Sequence, residues 1–160
     1  MAVSSSAGIY WVNQDPGNTS IWARFSDRRG SRVPHWDRLR AMTQGDIIVH
    51  NVKRNIWRIS RVTATPLTAP RPPYIKDPND PANLDVGTIV PIETFELVRP
   101  VRLDDLLRDP QSRLAGIDGG PIRSDGSTVM LGYAFNFSTS ELKVLKRLYG
   151  NPLPDWADPG

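Results

Sequence analysis

The feature that most constrains the fold of this chain is a run of prolines near its middle. Residues 66–83 read PLTAPRPPYIKDPNDPAN and contain six of the fifteen prolines. Proline has no backbone N–H and a fixed φ, so this run excludes both a helix and a central strand. We therefore predict a long surface loop here, and the regular elements must come from the residues before and after it.

Four segments before the proline-rich run have helix or strand patterns. They are an opening strand GIYWV (8–12), a short amphipathic helix HWDRLRAM (35–42), and two strands, DIIVHNV (46–52) and IWRISRVTAT (56–65). The helix follows Pro34 and carries apolar residues at helical spacing. The two strands are joined by Lys53, Arg54 and Asn55, which predicts a β-hairpin with a basic tip.

The second half of the chain ends in the clearest local pattern of the sequence. Before it come an extended stretch at 86–101 interrupted by Pro91, a short helix at 103–109, a loop at 110–128 and a strand GYAFNF (132–137). Ser138 and Glu141 fit a capping box, an apolar stripe follows, and Gly150 stands where a helix stop belongs. We expect the remaining residues, 151–160, to leave the domain as a tail or the start of a linker.

These elements predict one domain of the α+β class. About five or six strands, many of them antiparallel, with short flanking helices indicate a partly open mixed β-barrel. A chain of 160 residues is long enough for a single well-buried core. We assign residues 8–150 to the domain and expect residues 1–7 to form a flexible N-terminus.

Positive charge is concentrated in one window of the sequence. Residues 24–61 contain ten Lys and Arg against three Asp, although the net charge of the whole chain is only +3. A basic surface on a mildly acidic body is typical of a protein that binds a polyanion, and a solvated arginine-rich surface is the alternative. Three tryptophans, Trp22, Trp36 and Trp57, lie in the same window, as stacking on nucleobases requires. For Trp36 the helical spacing favours a core position, and for Trp57 we expect partial burial.

The composition leaves little material for catalysis. The chain has no cysteine, two histidines and three glutamates, and the histidines do not have a metal-ligand spacing. We expect no enzyme activity in this domain, no metal and no cofactor. The sequence also lacks a signal peptide and an apolar run long enough to cross a bilayer, so we expect a soluble cytoplasmic protein without membrane contact.

Six segments together resemble a known family, the EVE domain. In order they are IYWVNQ (9–14), SIWARF (20–25), HWDRLRAMTQGDIIVHNV (35–52), WRISRV (57–62), ETFELVRPVRLDDL (93–106) and GYAFNF (132–137). EVE domains are grouped with YTH domains in the PUA-like superfamily. The resemblance covers roughly residues 8–149 and implies a PUA-like, partly open β-barrel with a pocket for one nucleobase.

The resemblance also implies a function. EVE domains are often the specificity module of bacterial modification-dependent restriction enzymes. There the domain flips a modified base, such as methylated cytosine or adenine, out of DNA, and a fused or associated nuclease or NTPase acts. This function predicts a nucleoid-associated protein of bacterial or archaeal cytoplasm with a role in antiphage defence. Related YTH domains bind N6-methyladenine in RNA, so an RNA reader is an alternative. A small enzyme acting on nucleotides through His50 and an aspartate is an alternative of another class.

The resemblance assigns the base pocket to particular residues. Trp22 matches a cage wall, and we expect its ring to be partly exposed and to face a cavity. Asn13 matches a polar residue beside the pocket, and Gln14 shares its position, because an amide can both donate to and accept from a base edge. His50 and Asn51 end a strand near the same mouth. For His50 a structural role and a ligand contact are both open.

A second aromatic wall is missing where the family often has one, because DVGTIVP (85–91) contains no aromatic residue. Tyr10, Trp36 or Tyr74 supplies that face from elsewhere, or an aliphatic residue such as Leu84 or Ile89 packs on the base. Around the pocket a set of cations is expected to contact phosphates and fix the orientation of the nucleic acid. These are Arg24, Arg28, Arg29, Arg32, Lys53 and Arg54.

Overall fold

The computed structural model describes residues 7–16, 19–25, 34–82, 84–115, 121–122 and 134–160, except for the side chains of residues 34–36. Within these residues seven strands, three α-helices and one 3₁₀ helix follow one another. They are β1 Ile9–Val12, β2 Ser20–Arg24, α1 Pro34–Ala41, β3 Ile47–Val52, β4 Asn55–Val62, β5 Leu67–Pro70, β6 Val86–Arg102, α2 Leu103–Arg108, β7 Ala134–Asn136, α3 Thr139–Tyr149 and the 3₁₀ helix Asp155–Ala157.

The strands form one mixed sheet in the order β2-β6-β4-β3-β1-β7, and β5 pairs with β6. The neighbours β1 and β3 are parallel, while the other pairs are antiparallel. The sheet curls into a half-barrel with short helices around it. The prediction of an α+β fold with a partly open mixed β-barrel is therefore confirmed.

The longest strand, β6, makes the sheet curl because it changes partners along its length. Its first part, residues 86–91, pairs with both β2 and β5, and residues 92–102 pair with β4. Pro91 lies at the change between the two parts. Proline has no backbone N–H to donate, so it is tolerated at this change of partners, where no continuous hydrogen-bonded ladder is required.

Apolar residues cover both faces of the sheet and form two cores. The run Ile47, Ile48, Val49 in β3 is completely buried, because alternate residues enter different cores. The larger core lies against α2 and α3 and includes Trp11 and Phe135. The smaller core lies against α1 and includes Leu39 and Met42 from that helix and its turn.

The last helix begins and ends as the sequence predicts. The Ser138 hydroxyl accepts a hydrogen bond from the Glu141 backbone N–H at 3.1 Å, and Gly150 has a left-handed φ of 71°. The Glu141 carboxylate does not complete the capping box. It accepts instead from the Ser112 hydroxyl at 2.8 Å and from the backbone N–H of Arg113, so it holds the loop after α2.

Two expectations about segments outside the core were wrong. The chain after Gly150 does not leave the domain, because Leu153 and Ala157 are buried in the larger core and Trp156 packs against it. The proline-rich run is not entirely loop, since β5 lies within it. As a strand paired only with β6 it is an edge strand, the position where prolines are tolerated. It brings the number of strands to seven in the described residues.

Candidate nucleic-acid interface

Trp22 is buried in the described structure, with only 3% of its surface exposed. Its indole Nε1 donates to the Ala69 carbonyl oxygen at 3.0 Å, and the Arg71 guanidinium carbon lies 4.9 Å from the ring centroid. The expectation that this ring is partly exposed and faces a cavity was wrong. The physical reason is the proline-rich run, which turns back through β5 and covers the ring with a guanidinium.

An ion cluster centred on the buried Arg71 holds the covering segment in place. Arg71 is 5% exposed and contacts Asp80 at 3.0 Å, Asp85 at 2.6 Å and Asp77 at 3.3 Å. The Asn79 backbone N–H, with smaller contributions that include Arg24 and Arg71, lowers the pKa of Asp77 to about 2. The backbone N–H of Asp85 is the largest cause that lowers the pKa of Asp80. These aspartates are therefore charged at neutral pH and fix the segment.

The same cluster takes up Arg24, which was expected to contact phosphate. Its guanidinium lies 2.6 Å from Asp77 and 3.0 Å from Asp85. The Arg24 side chain is about one-fifth exposed, at 19%. In this arrangement its charge is neutralised within the chain, so the phosphate contact expected of Arg24 does not fit its surroundings.

Four predicted site residues do come together, at one edge of the half-barrel. Asn13 and Gln14 follow β1, and His50 and Asn51 lie near the end of its parallel neighbour β3. The carboxyl ends of parallel neighbours meet at the same edge of a sheet. We call this edge the mouth, and we include in it Trp57 of β4, which stands between Ile56 and Arg58, the residues that pair with Asn51 and His50.

The two asparagines of the mouth bind each other. The Asn13 side-chain oxygen accepts from the Asn51 amide at 3.0 Å and from the Trp11 indole N–H at 2.8 Å. The Asn51 side-chain oxygen is buried and has no hydrogen-bond partner among the described residues. An unpaired buried acceptor costs about 1–3 kcal/mol, so a further donor placed at this atom would be stabilising.

Gln14 connects the mouth to the strand that carries Trp22. Its amide donates to the Trp22 carbonyl oxygen and its oxygen accepts from the Trp22 backbone N–H, both at 3.3 Å. This pairing imitates one step of a β-ladder and fixes β2 against the end of β1. Gln14 thus has a backbone-binding role that its sequence position did not reveal.

His50 is 1% exposed and both of its ring nitrogens have partners. Nδ1 lies 3.1 Å from the Gln14 carbonyl oxygen, and Nε2 lies 2.7 Å from the Ser60 hydroxyl, which in turn lies 2.8 Å from the Thr94 hydroxyl. A carbonyl only accepts, so Nδ1 carries the proton and Nε2 accepts from Ser60. Burial is the largest cause that lowers the pKa of His50 to about 4. Of the two open roles, the structural one fits this geometry.

Trp57 presents the exposed aromatic surface of the mouth. The pairing of β3 with β4 shifts between His50 and Asn51, and the pairing of β4 with β6 shifts between Ile56 and Arg58. Trp57 is the extra residue at the shift between β3 and β4, and at the second shift it faces the longer stretch 97–100 of β6. The exposed fraction of Trp57 is 41%. β-Bulges redirect side chains and are common beside binding sites. The sequence indicated partial burial of Trp57, but the bulge depends on three strands and has no local signal.

Cations flank the mouth on the hairpin side. Lys53 and Arg54 form the two-residue tip between β3 and β4, with φ of 51° and 62°. The predicted hairpin with a basic tip is therefore present. Arg54 contacts Asp104 at 2.5 Å, and Arg58 contacts Asp15 at 2.7 Å and Glu96 at 3.3 Å. About half of the Arg54 side chain stays exposed beside its aspartate.

The structure does not bring the other candidates for a second wall to the mouth. Tyr10 lies at the opposite end of β1, where Asp46 and Arg38 act on its hydroxyl. The Tyr74 hydroxyl donates to the Ser20 carbonyl oxygen at 2.8 Å, at the start of β2. Leu84 is 76% exposed, and Ile89 of β6 pairs with Trp22 of β2.

The remaining predicted residues cannot be assigned a contact. Arg28, Arg29 and Arg32 lie outside the described residues. Trp36 lies in α1, and its side chain is outside the described part of the structure.

Among the residues that are described, no group of three or more His, Asp or Glu side chains could hold a metal ion. No helix in these residues is long and apolar enough to cross a membrane.

Comparisons with known proteins find similar folds but no family for this chain. No family model matches this chain, and no curated protein matches it. A hypothetical protein from Leishmania major has a similar structure, with a TM-score of 0.60, 11% identity, and coverage of 91% of this chain and 96% of that one. A protein from Agrobacterium tumefaciens has a TM-score of 0.57 and 17% identity, covering 93% of this chain and 97% of that one. A protein from Pseudomonas putida has a TM-score of 0.54 and 14% identity, covering 88% and 99%.

Proposed function

We propose that this domain binds nucleic acid and reads a modified base in DNA at the mouth. The observation that carries the proposal is the combination found there. Trp57, exposed in a bulge, follows Ile56, the pairing partner of Asn51, whose buried side-chain oxygen has no partner among the described residues. The hairpin tip adds two cations. Stacking surface, edge recognition and phosphate attraction are the three requirements of a base reader.

The amides of Asn13 and Asn51 suit a base edge. Each asparagine side chain can donate and accept, and the pair is already positioned by its mutual hydrogen bond at 3.0 Å. The free acceptor of Asn51 would receive an exocyclic amino group, such as that of cytosine or adenine. Binding would then satisfy an atom that is otherwise buried without a partner.

The stacking surface in this proposal is Trp57 and not Trp22. Trp22 is covered by Arg71, and a base would have to displace a guanidinium that is bound to three aspartates. Trp57 needs no displacement, because two-fifths of its surface is already exposed. Extruding a base from a duplex costs a few kcal/mol, and stacking on Trp57 with edge hydrogen bonds would offset that cost.

The resemblance to EVE domains supplies the ligand class. It supports methylated cytosine or adenine in DNA as the modified base and a role as the specificity domain of a modification-dependent restriction system. In such a system the chemistry belongs to a fused or associated nuclease or NTPase. A nucleotide enzyme based on His50 has less support, because both ring nitrogens are engaged and a pKa of about 4 makes the ring a weak base at pH 7.

A binding screen tests the proposal. The domain is titrated by fluorescence anisotropy against duplexes of one sequence that contain plain cytosine, 5-methylcytosine, 5-hydroxymethylcytosine or N6-methyladenine. We expect tighter binding to at least one modified duplex than to the plain one. Equal affinity for all duplexes at moderate salt would contradict base reading.

Two variants and a matched control locate the site. Trp57→Ala should weaken binding about 5- to 150-fold, the loss of one stacked base, and Asn51→Ala should reduce the preference for the modified base. Tyr74→Ala is the control, because Tyr74 is as exposed as Trp57, at 42% against 41%, but lies at the start of β2. A loss with Tyr74→Ala and none with Trp57→Ala would move the site to the surface around Trp22.

A single-stranded RNA ligand is the second candidate. The open position of Trp57 favours it, because an exposed ring can stack on an unpaired base without any extrusion. Single-stranded RNA with and without N6-methyladenine, matched in sequence to the duplexes, distinguishes the two functions. Tighter binding to the RNA than to every duplex would favour the RNA reader.

A further inference from the structure

We propose that a second surface of this domain, formed by the hairpin tip and the residues around α2, binds the phosphate backbone of the same nucleic acid. We call it the α2 surface, and its cations are Lys53, Arg54, Arg99, Arg102 and Arg108. This inference rests on the proposed function and adds where the strand runs. Three of these residues lie outside the basic window at 24–61, so the charge of that window does not predict them.

An open cavity lies at the centre of the α2 surface. Its volume is about 260 Å³, and its lining includes Arg99, Arg102 and Arg108. The Arg99 guanidinium also donates to the carbonyl oxygens of Leu148 and Tyr149. No aromatic residue lines it, so it does not suit a stacked base. Guanidinium groups bind phosphate through paired N–H donors, and they suit a phosphodiester better than an apolar ligand.

The aspartates around the cavity are largely neutralised by arginines at its edge. Asp104 is bound by Arg54 at 2.5 Å. Asp109 is only 6% exposed and accepts two hydrogen bonds from Arg147, at 2.8 and 2.9 Å. Of the aspartates that line the cavity in the described part of the chain, Asp105, which is exposed, is left to oppose the remaining cations.

The charge that remains belongs to two exposed arginines. The Arg102 side chain is 60% exposed and lies 3.9 Å from Asp104, a carboxylate already bound more closely by Arg54. Arg108 is exposed and has no ion pair with any residue in the described ranges. Both guanidinium groups are therefore available to an external anion.

The hairpin tip extends this surface in a fixed orientation. A two-residue hairpin turn with positive φ at both positions favours the sequence Asn-Gly. Here Lys53 and Arg54 occupy these positions, with φ of 51° and 62°. Strained backbone often marks functional positions. The Leu103 backbone N–H donates to the Arg54 carbonyl oxygen at 3.0 Å, which ties the tip to the start of α2.

The mouth and the α2 surface are close enough for one strand to reach both. Asn51 pairs with Ile56, and Ile56 pairs with Val101, the neighbour of Arg102. Two strand spacings are about 10 Å, roughly three nucleotides along one strand of B-DNA at 3.4 Å each. A strand with a base at the mouth can therefore lay its adjoining phosphates on the α2 surface.

Acidic lipid is the other polyanion that a basic surface attracts. Helix α2 does not suit a membrane, because it has only six residues and its Leu103 and Leu106 are buried in the core. Interfacial helices keep a wide apolar face for the lipid. Nucleic acid is therefore the partner that we infer.

The test compares two double variants of the whole chain that lose the same charge. Arg102→Ala/Arg108→Ala removes the two exposed cations of the α2 surface. Lys76→Ala/Arg113→Ala removes two exposed cations that do not line its cavity. Affinity for the plain and modified duplexes is measured between 50 and 200 mM salt, and unfolding curves check that both variants are folded.

We expect the first variant to reduce the slope of log affinity against log salt by about 1.8, the value for two lost phosphate contacts on duplex DNA. The preference for the modified base should be unchanged, and the control slope should stay within experimental error of wild type. If base reading persists and both double variants keep the wild-type slope, the α2 surface is overturned and the proposed function stands. Absence of any wild-type binding overturns both, and binding to phosphatidylserine vesicles without binding to DNA overturns the choice of partner.

Discussion

The guanidinium of Arg71 lies over the indole ring of Trp22 and also binds three aspartates. This contact occupies the flat surface on which the sequence places a base, with a centroid distance of 4.9 Å. The guanidinium group of arginine is planar, and it can stack on tryptophan as a base would. At the level of single residues, both the N–H group and the ring face of Trp22 thus already have partners within the chain.

Arg71→Ala should lower the free energy of unfolding by about 3–5 kcal/mol. The substitution removes the arginine that pairs with Asp80, whose side chain is only 9% exposed, whereas Asp77 and Asp85 keep Arg24 as a partner. Urea unfolding at pH 7 measures the loss. Glu93→Ala is the control, because it breaks the exposed Arg61–Glu93 pair, expected to contribute at most about 1 kcal/mol, and leaves Arg61 on the Trp156 ring. Similar losses in the two variants would show that the buried cluster does not hold the covering segment.

The burial of His50 predicts a pH dependence of stability. Its pKa is about 4 in the folded protein and about 6.5 in an unfolded chain, so the unfolded state binds more protons between these values. Stability from this group is therefore complete above pH 6.5 and is lost as the pH falls toward 4. Between pH 7 and pH 5 the loss should be about 2 kcal/mol.

The measurement is urea unfolding at pH 7 and pH 5 for wild type and His50→Gln. Glutamine does not titrate, so the variant should lose most of the pH dependence even if it is less stable overall. The depressed pKa values of Asp77 and Asp80 act at lower pH and do not contribute in this window. An identical decrease in both proteins would assign the effect to another group.

At the scale of elements, local pattern and tertiary contact contribute unequally. The β3–β4 hairpin and the start and end of α3 follow from turn and cap residues, which act within a few positions. The bulge at Trp57 and the edge strand β5 do not, because each depends on pairing with β6, far along the sequence. The sequence therefore predicted the position of the hairpin but not the bulge at Trp57, three residues after its tip.

With ordinary turn residues at the hairpin tip, the protein should be more stable and should bind DNA more weakly. Lys53→Asn/Arg54→Gly converts the tip to Asn-Gly, which favours both positive φ values. The free energy of unfolding should rise by about 1–2 kcal/mol, reduced by the weak exposed pair of Arg54 with Asp104. Thermal unfolding measures the gain, and anisotropy should show weaker DNA binding in the same variant. A less stable variant would contradict strain at the tip.

At the scale of the whole molecule, the last ten residues complete the larger core. Leu153 is 7% exposed, Ala157 is fully buried, and Arg61 of β4 lies 5.4 Å from the Trp156 ring centroid. The Lys146–Asp158 ion pair at 2.7 Å adds a contact with α3. Residues 8–157 thus pack together around the sheet in the described ranges, and the boundary expected at Gly150 is not a boundary of packing.

Leu153→Ala should lower the free energy of unfolding by about 2–4 kcal/mol, because it leaves a cavity in the larger core. Pro152→Ala is the control, because this neighbour is exposed and should change stability by less than about 1 kcal/mol. Urea unfolding compares both variants with wild type. A negligible effect of Leu153→Ala would mean that the segment after Gly150 detaches in solution.

The sequence by itself determined the fold class, the basic hairpin, the capped last helix and the grouping of Asn13 and Gln14 with His50 and Asn51. The first three follow from periodicity and from turn and cap residues, which are encoded over short spans. The grouping came from the resemblance to EVE domains, and it depends on the pairing of β1 with the distant β3. The tertiary structure alone decided the exposure of the tryptophans. Trp22 is buried because Arg71, distant in sequence, folds over it, and Trp57 is exposed because two strands bulge beside it. Burial of a side chain depends on every segment that packs against it, and local sequence does not contain that information.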